Sequence, residues 1–122
     1  MPDMSLIREK LMQIEESLSR IQRRSSSIKS PEDFTGSEDN LDRLDAIAMM
    51  LIAVGESFKK IDYETEGEWL INYPEIDWHG VIGLRNVLAH NYFDIDTEII
   101  YKICRKEVPK LLQTVRRMLK DI

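Results

Sequence analysis

Cysteine is nearly missing from this chain of 122 residues, which contains a single one, Cys104. One thiol cannot form an internal disulfide and does not provide a metal cluster. No apolar run is long enough to cross a bilayer, since the longest covers only residues 46–54. The N-terminus opens on an acid, Asp3, and does not resemble a signal peptide. These absences lead us to expect a cytoplasmic protein with no membrane association.

Positive charge is also scarce, because 17 Lys and Arg residues face 22 Asp and Glu residues and the formal net charge is −5. Phosphate binding is driven by Lys and Arg, so this balance argues against a general nucleic-acid coat protein. Residues 1–30 carry six basic and four acidic groups, residues 31–77 three and thirteen, and residues 99–122 seven and two. The basic ends could bind an anionic ligand or could form complementary faces within a bundle or between subunits, and we expect the second.

The apolar residues follow a helical pattern throughout. Hydrophobic residues make up 43% and charged residues 32%, which is typical of a globular domain, and we expect a single domain over residues 1–122. Apolar spacings of three and four over residues 7–21 predict a first helix of roughly six turns, which Asp3 can cap. The same spacings predict helices over residues 41–61, with Ser37 as N-cap, 78–88 and 100–122. Pro109 lies inside the last helix and predicts a kink near Arg105. There is no strand pattern and no repeat, so we predict an all-α bundle of four or five helices.

The second predicted helix is apolar on more than one side, which is typical of a helix that is central or shared with a second subunit. Gly55 interrupts it, at a cost of roughly 1 kcal/mol relative to alanine. We therefore expect another part of the molecule to approach closely there. Glu56, next to this glycine, could be solvated or could pair with an arginine in a partly buried site, and the sequence favours neither.

The third helix is expected to begin at Trp78 after a cap at Asp77 and to turn its apolar residues inward. These are Val81, Ile82, Leu84, Val87 and Leu88. His79 lies in the first turn, where the helix dipole disfavours the imidazolium, and we interpret it as a surface or packing residue.

Few residues suggest catalysis. The sequence has no phosphate-binding loop, no zinc-ligand set and no Gly-x-Ser-x-Gly elbow. A nucleophile pair of Cys104 and His90 is conceivable, but Cys104 belongs to an apolar stripe and is expected to be inert. A polar group near the end of the third helix remains: Arg85, Asn86, His90 and Tyr92.

The spacing of this group is awkward on a helix. Arg85 and Tyr92 are seven residues apart and would share a face of a continuous helix. His90 would lie roughly 140° around the axis from Arg85. The long arginine could reach across, the helix could fray near Asn91, or a second subunit could complete the site.

The chemistry of the group suits a phosphodiester. Histidine exchanges protons near neutral pH, and arginine can hold a phosphate through two parallel hydrogen bonds. His90 could move protons while Arg85 stabilises charge on phosphorus, and two copies of His90 across a dimer axis could divide the acid and base roles. Without further information, a structural polar cluster is the better interpretation.

The order and spacing of four segments add a family resemblance over nearly all of the chain. The chain resembles the HepT-like ribonuclease toxins, which have the HEPN fold, in residues 54–57 (Val-Gly-Glu-Ser), 74–78, 83–86 (Gly-Leu-Arg-Asn) and 90–93 (His-Asn-Tyr-Phe). The internal Pro109 of the last helix also fits.

The resemblance implies an all-α homodimer, or a higher oligomer of dimers, with a composite site at the interface. It implies a toxin that cleaves RNA without a metal or cofactor, with Arg85 and His90 catalytic and with Asn86 and Glu56 in support. The implied partner is an antitoxin, a nucleotidyltransferase of the MntA type, which transfers AMP onto Tyr92.

Two other functions stay open. The protein could be a binding module that holds a nucleotide or a nucleotidyltransferase without turnover, or a structural helical interaction domain. Loss of cleavage after His90→Ala would indicate the enzyme, and Arg85-dependent binding without turnover would indicate the module.

Overall fold

The computed structural model of the chain describes residues 2–90 and 92–122, and of residues 89, 90 and 92 it describes the backbone alone. These residues form five α-helices: α1 (Met4–Ser25), α2 (Glu38–Glu64), α3 (Trp78–His90), α4 (Thr97–Lys102) and α5 (Val108–Asp121). Short 3₁₀ helices lie at Pro31–Thr35, Leu70–Asn72 and Tyr92–Asp94. No strand occurs in the described residues, and the predicted all-α class is confirmed.

The first helix, α1, buries its predicted apolar stripe against α2 and α5. All five residues of the stripe are at most 2% exposed: Ile7, Leu11, Ile14, Leu18 and Ile21. The helix begins as predicted, because Oδ1 of Asp3 accepts a hydrogen bond from the backbone N–H of Ser5 at 3.0 Å. Ile28 and Phe34 are fully buried and attach the following connection to the core.

The second helix, α2, is the centre of the bundle. Ser37 caps it by accepting a hydrogen bond from the backbone N–H of Asn40 at 3.1 Å. Its buried residues lie on both sides of the axis because α2 packs between α1 and α3. These are Leu44, Ile47, Ala48, Leu51, Val54, Gly55, Phe58 and Ile61. The wide apolar face in the sequence is therefore covered within the chain.

Gly55 marks a close approach between α2 and α3. A Cβ atom at this position would lie only 2.8 Å from the carbonyl oxygen of Val81. The close approach expected at this glycine is confirmed. Because the neighbour is backbone, α3 could not retreat from a larger side chain by changing a rotamer.

The last two helices, α4 and α5, are joined without a loop by an irregular helical turn. Ile103–Glu107 is a π-helical turn, and the N–H of Val108 donates to the carbonyl of Ile103. Pro109 follows at the start of α5; it lacks an N–H and its ring would collide with the carbonyl of Arg105 in a regular helix. The irregularity falls where the proline predicted it and takes the form of a widened turn.

The third helix, α3, departs from the prediction at Val87, which is 51% exposed instead of buried. Leu88 is buried, and Val81, Ile82 and Leu84 are partly buried against the core. The prediction was wrong because α3 lies at the edge of the bundle and packs on α2 with one side, so its apolar sector is wider than the surface that covers it. His79 is exposed, as expected.

No helix in the described part of the chain combines the length and the apolar character that a membrane span needs.

Candidate functional site

The candidate site lies on the outer side of α3, where this helix runs beside α2 in the opposite direction. Phe58 meets Trp78 with their ring centroids 4.8 Å apart, and Gly55 meets Val81 further along. Glu56, the residue after Gly55, reaches Arg85 in the middle of α3 with its side chain.

Arg85 and Glu56 form an ion pair between the two helices. The Nε atom of Arg85 is 2.9 Å from Oε1 of Glu56, and the two side chains are 52% and 35% exposed. The sequence left open whether Glu56 is solvated or paired, and the structure shows it paired with Arg85. Helical periodicity could not have chosen this arginine, since the pair depends on how α3 packs on α2.

The exposure of this pair limits what it does for stability. Ion pairs that are open to solvent contribute about 0–1 kcal/mol, because water screens the attraction and two long side chains lose freedom. Arg85 is also the only Lys or Arg residue between positions 78 and 98. An accessible guanidinium with several donors is well suited to binding an anion from solution.

Asn86 is exposed on α3 next to Arg85 and takes no part in the ion pair. It therefore lies at the surface beside Arg85, where its amide could contact an anion bound to Arg85. The structure does not assign it a partner in the described residues.

His90 is the last residue of α3, but its side chain lies outside the described residues, as do Asn91 and the side chain of Tyr92. Tyr92 begins the 3₁₀ helix Tyr92–Asp94, so the regular helix from Arg85 ends before it. A shared helical face for Arg85 and Tyr92 would need a continuous helix, whereas Tyr92 belongs to the 3₁₀ helix. The roles assigned to His90 and Tyr92 stay predictions.

Apolar side chains surround the end of α3 at the surface. Phe93 is 96% exposed and Ile99 is 49% exposed, in addition to Val87. A cleft of about 190 Å³ lies between the end of α3 and the start of α4, lined by Val87, Leu88, Asp94, Ile95, Asp96, Ile99 and Ile100. The sequence did not predict this apolar surface. The available signal was Phe93, an aromatic residue directly after the polar motif.

Cys104 is not placed for nucleophilic chemistry. It is buried, and burial raises the pKa of its thiol to about 11, although a hydrogen bond with Ser25 and the charge of Arg105 act in the opposite direction. The thiolate is the reactive form, so a thiol with so high a pKa is a poor nucleophile. The expectation that Cys104 is inert core agrees with this environment.

We expect Cys104 in the folded protein to react with Ellman's reagent at pH 8 about a hundredfold more slowly than in guanidinium chloride. The reason is that the raised pKa leaves far less thiolate at this pH. Release of the thionitrobenzoate ion, followed by absorbance, measures the rate. Equal rates in the two solvents would contradict the buried environment.

Metal-ligating side chains do not cluster in the described part of the chain, where no three His, Cys, Asp or Glu residues come together.

The fold and the site define an all-α bundle with an accessible cation on an edge helix. The sequence profile of the family described as "Ribonuclease HepT-like" matches residues 14–118. The chain therefore belongs to the HepT-like ribonuclease family.

Individual relatives agree with this membership. A Methanocaldococcus jannaschii protein named "Putative RNase MJ0127" is 32% identical over 77 residues, which cover 63% of this chain and 60% of the relative. A second protein of that organism, "Putative RNase MJ1380", is 33% identical over 70 residues, covering 57% and 61%. "Probable ribonuclease HepT" of Thermococcus cleftensis is 29% identical over 66 residues, covering 54% and 56%. No solved structure shows a significant match.

The aligned stretch spans about 60% of the length of the first two relatives.

Proposed function

We propose that this protein is a metal-independent RNA endonuclease that acts in the cytoplasm as the toxin of a toxin–antitoxin pair. The observation that carries the proposal is the accessible Arg85, paired with Glu56 and five residues before His90, in a member of the HepT-like ribonuclease family. Asn86 supports the same site from the next position of α3.

In the proposed reaction, Arg85 binds the scissile phosphate and stabilises the negative charge that grows on its oxygens. His90 removes the proton from the ribose 2′-hydroxyl, whose oxygen attacks phosphorus as the 5′-oxygen leaves. A histidine must also protonate that leaving oxygen, and one imidazole cannot easily reach both sides. The second copy of His90 in a homodimer, or in a higher oligomer of dimers, supplies this proton.

The surface near α3 supports such a dimer. Val87, Phe93 and Ile99 expose apolar area beside the proposed site, and a second copy of the chain would cover it. A dimer axis at this place would also bring two copies of Arg85 and His90 together.

Regulation by a partner completes the proposal. A nucleotidyltransferase antitoxin of the MntA type would join the phenol oxygen of Tyr92 to the α-phosphorus of ATP, with pyrophosphate leaving and the proton passing to solvent. The product carries a phosphodiester charge and an adenosine next to His90. Both would exclude an RNA phosphate from Arg85, through repulsion and through occupied space.

The test uses the purified protein with single-stranded RNA in EDTA, after its intact mass has shown that no AMP is attached. We expect the parent to cleave, and Arg85→Ala to cleave about 10²- to 10³-fold more slowly, because a donor to the transition-state charge is lost. Arg116→Ala is the matched control, since Arg116 is also about half exposed and paired with a glutamate. Gel analysis of end-labelled RNA measures the rates.

No cleavage by an unmodified, dimeric parent would contradict the proposed enzyme. Binding of nucleotide or of the nucleotidyltransferase that depends on Arg85 would then support the binding module. Equal activity of the parent and Arg85→Ala would remove Arg85 from the mechanism.

A further inference from the structure

We infer that Glu56 is a positioning residue of this site, which holds the guanidinium of Arg85 with its two terminal amino groups directed toward the RNA phosphate. The inference rests on the proposed function, and it assigns a mechanistic role to a carboxylate on a different helix from the catalytic residues. Its grounds are the atoms that meet in the ion pair, the exposure of both side chains and the glycine that precedes Glu56.

The contact atoms decide which part of Arg85 stays available. Glu56 meets the guanidinium through Nε, at 2.9 Å. A guanidinium has a second edge, formed by Nη1 and Nη2, which can bind two oxygens of one phosphate in parallel. A carboxylate at Nε leaves the Nη1–Nη2 edge available for the substrate and restricts the orientation of the guanidinium plane. Arg85 is 52% exposed, so solvent and ligands can reach it.

Stability alone does not account for a carboxylate at this position. The pair is open to solvent and stabilises the fold weakly. A negative charge near a bound phosphate also repels it, so Glu56 weakens ground-state RNA binding. A positioning role predicts that this penalty is offset in the transition state, where a correctly oriented arginine matters most.

The packing of α2 on α3 sets the reach of Glu56. At Gly55 the two backbones are close enough that a Cβ atom would lie 2.8 Å from the carbonyl oxygen of Val81. The following residue, Glu56, therefore starts near α3 and spans the gap to Arg85 with a side chain of ordinary length. The packing of the two backbones thus sets the position of the Glu56 carboxylate, and this carboxylate in turn orients the guanidinium of Arg85.

The chain contains a matched pair for comparison. Nε of Arg116 on α5 lies 3.1 Å from Oε2 of Glu15 on α1, and these side chains are 55% and 34% exposed. This pair also joins two helices through Nε of an arginine and a glutamate, with nearly the same exposure as Arg85 and Glu56. Glu15→Ala therefore controls for the loss of a half-exposed ion pair between helices.

The experiment measures kcat and KM for single-stranded RNA with Glu56→Ala, Glu56→Gln and Glu15→Ala, each in the parent and in the Arg85→Ala background. We expect Glu56→Ala to lower kcat about tenfold with KM unchanged or lower, since the loosened arginine must be oriented in each turnover. Glu56→Gln keeps an acceptor oxygen at the same reach and retains more activity. Glu15→Ala leaves both constants unchanged.

The double variants separate positioning from folding. If Glu56 acts through Arg85, Glu56→Ala causes no further loss once Arg85 is alanine. An equal further loss in that background, or parent-like kcat for Glu56→Ala in an active parent, overturns the inference and leaves the proposed function intact. A parent that does not cleave RNA overturns the proposed function and this inference with it. Thermal unfolding of each variant confirms that it is folded.

Discussion

Replacement of His90 with alanine is expected to lower RNA cleavage by about 10²- to 10⁴-fold, the range over which general acid–base groups act. In the proposed mechanism His90 removes the 2′-proton in one subunit and protonates the leaving oxygen in the other. Alanine removes both functions from a dimer at once. The backbone of α3 extends to His90, and a helix end accepts alanine, so the protein should remain folded.

The chain provides a control of the same residue type. His79 is the only other histidine, and it is exposed in the first turn of α3, at the opposite end of the helix from His90. We expect His79→Ala to cleave RNA like the parent. Rates are measured in EDTA with unmodified protein at equal protein concentration.

Either of two results would contradict the role of His90. Cleavage by His90→Ala at the parent rate would remove it from the reaction. Equal losses in His79→Ala and His90→Ala would indicate a general effect on α3 and not proton transfer. The pH dependence of kcat/KM adds an independent check, because an acid and a base of histidine type give a bell-shaped profile.

Replacement of Gly55 with alanine is expected to destabilise the protein by about 1–3 kcal/mol, the usual effect of overpacking a closely packed contact. The new methyl group would lie 2.8 Å from the carbonyl oxygen of Val81, so α3 must move away from α2. The intrinsic helix propensity of alanine opposes this effect by roughly 1 kcal/mol. Because the obstacle is backbone, we expect the collision to prevail.

Gly83→Ala is the matched control for this substitution. Gly83 lies within α3, and a Cβ atom there would meet none of the described neighbouring residues within 4 Å. Alanine at this position should leave stability unchanged or raise it by up to about 1 kcal/mol. Urea unfolding followed by circular dichroism, at one protein concentration for all variants, gives the free energies of unfolding.

The same variant tests how the packing serves the site. Movement of α3 would separate Glu56 from Arg85, so Gly55→Ala should also cleave RNA more slowly under conditions in which it is fully folded. Gly55→Ala with unchanged or increased stability would contradict the close packing of α2 and α3. Gly83→Ala with the larger loss of stability would contradict it as well.

Much of the fold could be predicted because it depends on the spacing of residues that are close together in the chain. The stripe of α1, the caps at Asp3 and Ser37, and the irregularity before Pro109 all depend on residues within a few positions of one another. Helical periodicity and the missing N–H of proline act at that range whatever the rest of the chain does. The motif that carries Arg85 and His90, and the family to which the chain belongs, were likewise visible in the order of residues.

The site depended on contacts between distant positions, which periodicity does not report. From sequence, Glu56 could be solvated or paired, and the packing of α3 on α2 decided that it pairs with Arg85. Val87 looked like a core residue, and the place of α3 at the edge of the bundle exposed it. The sequence by itself thus determined the helices, their caps and the residues available for chemistry. Only the tertiary structure decided which of them meet, because close packing of two helices joins residues that are far apart in the chain.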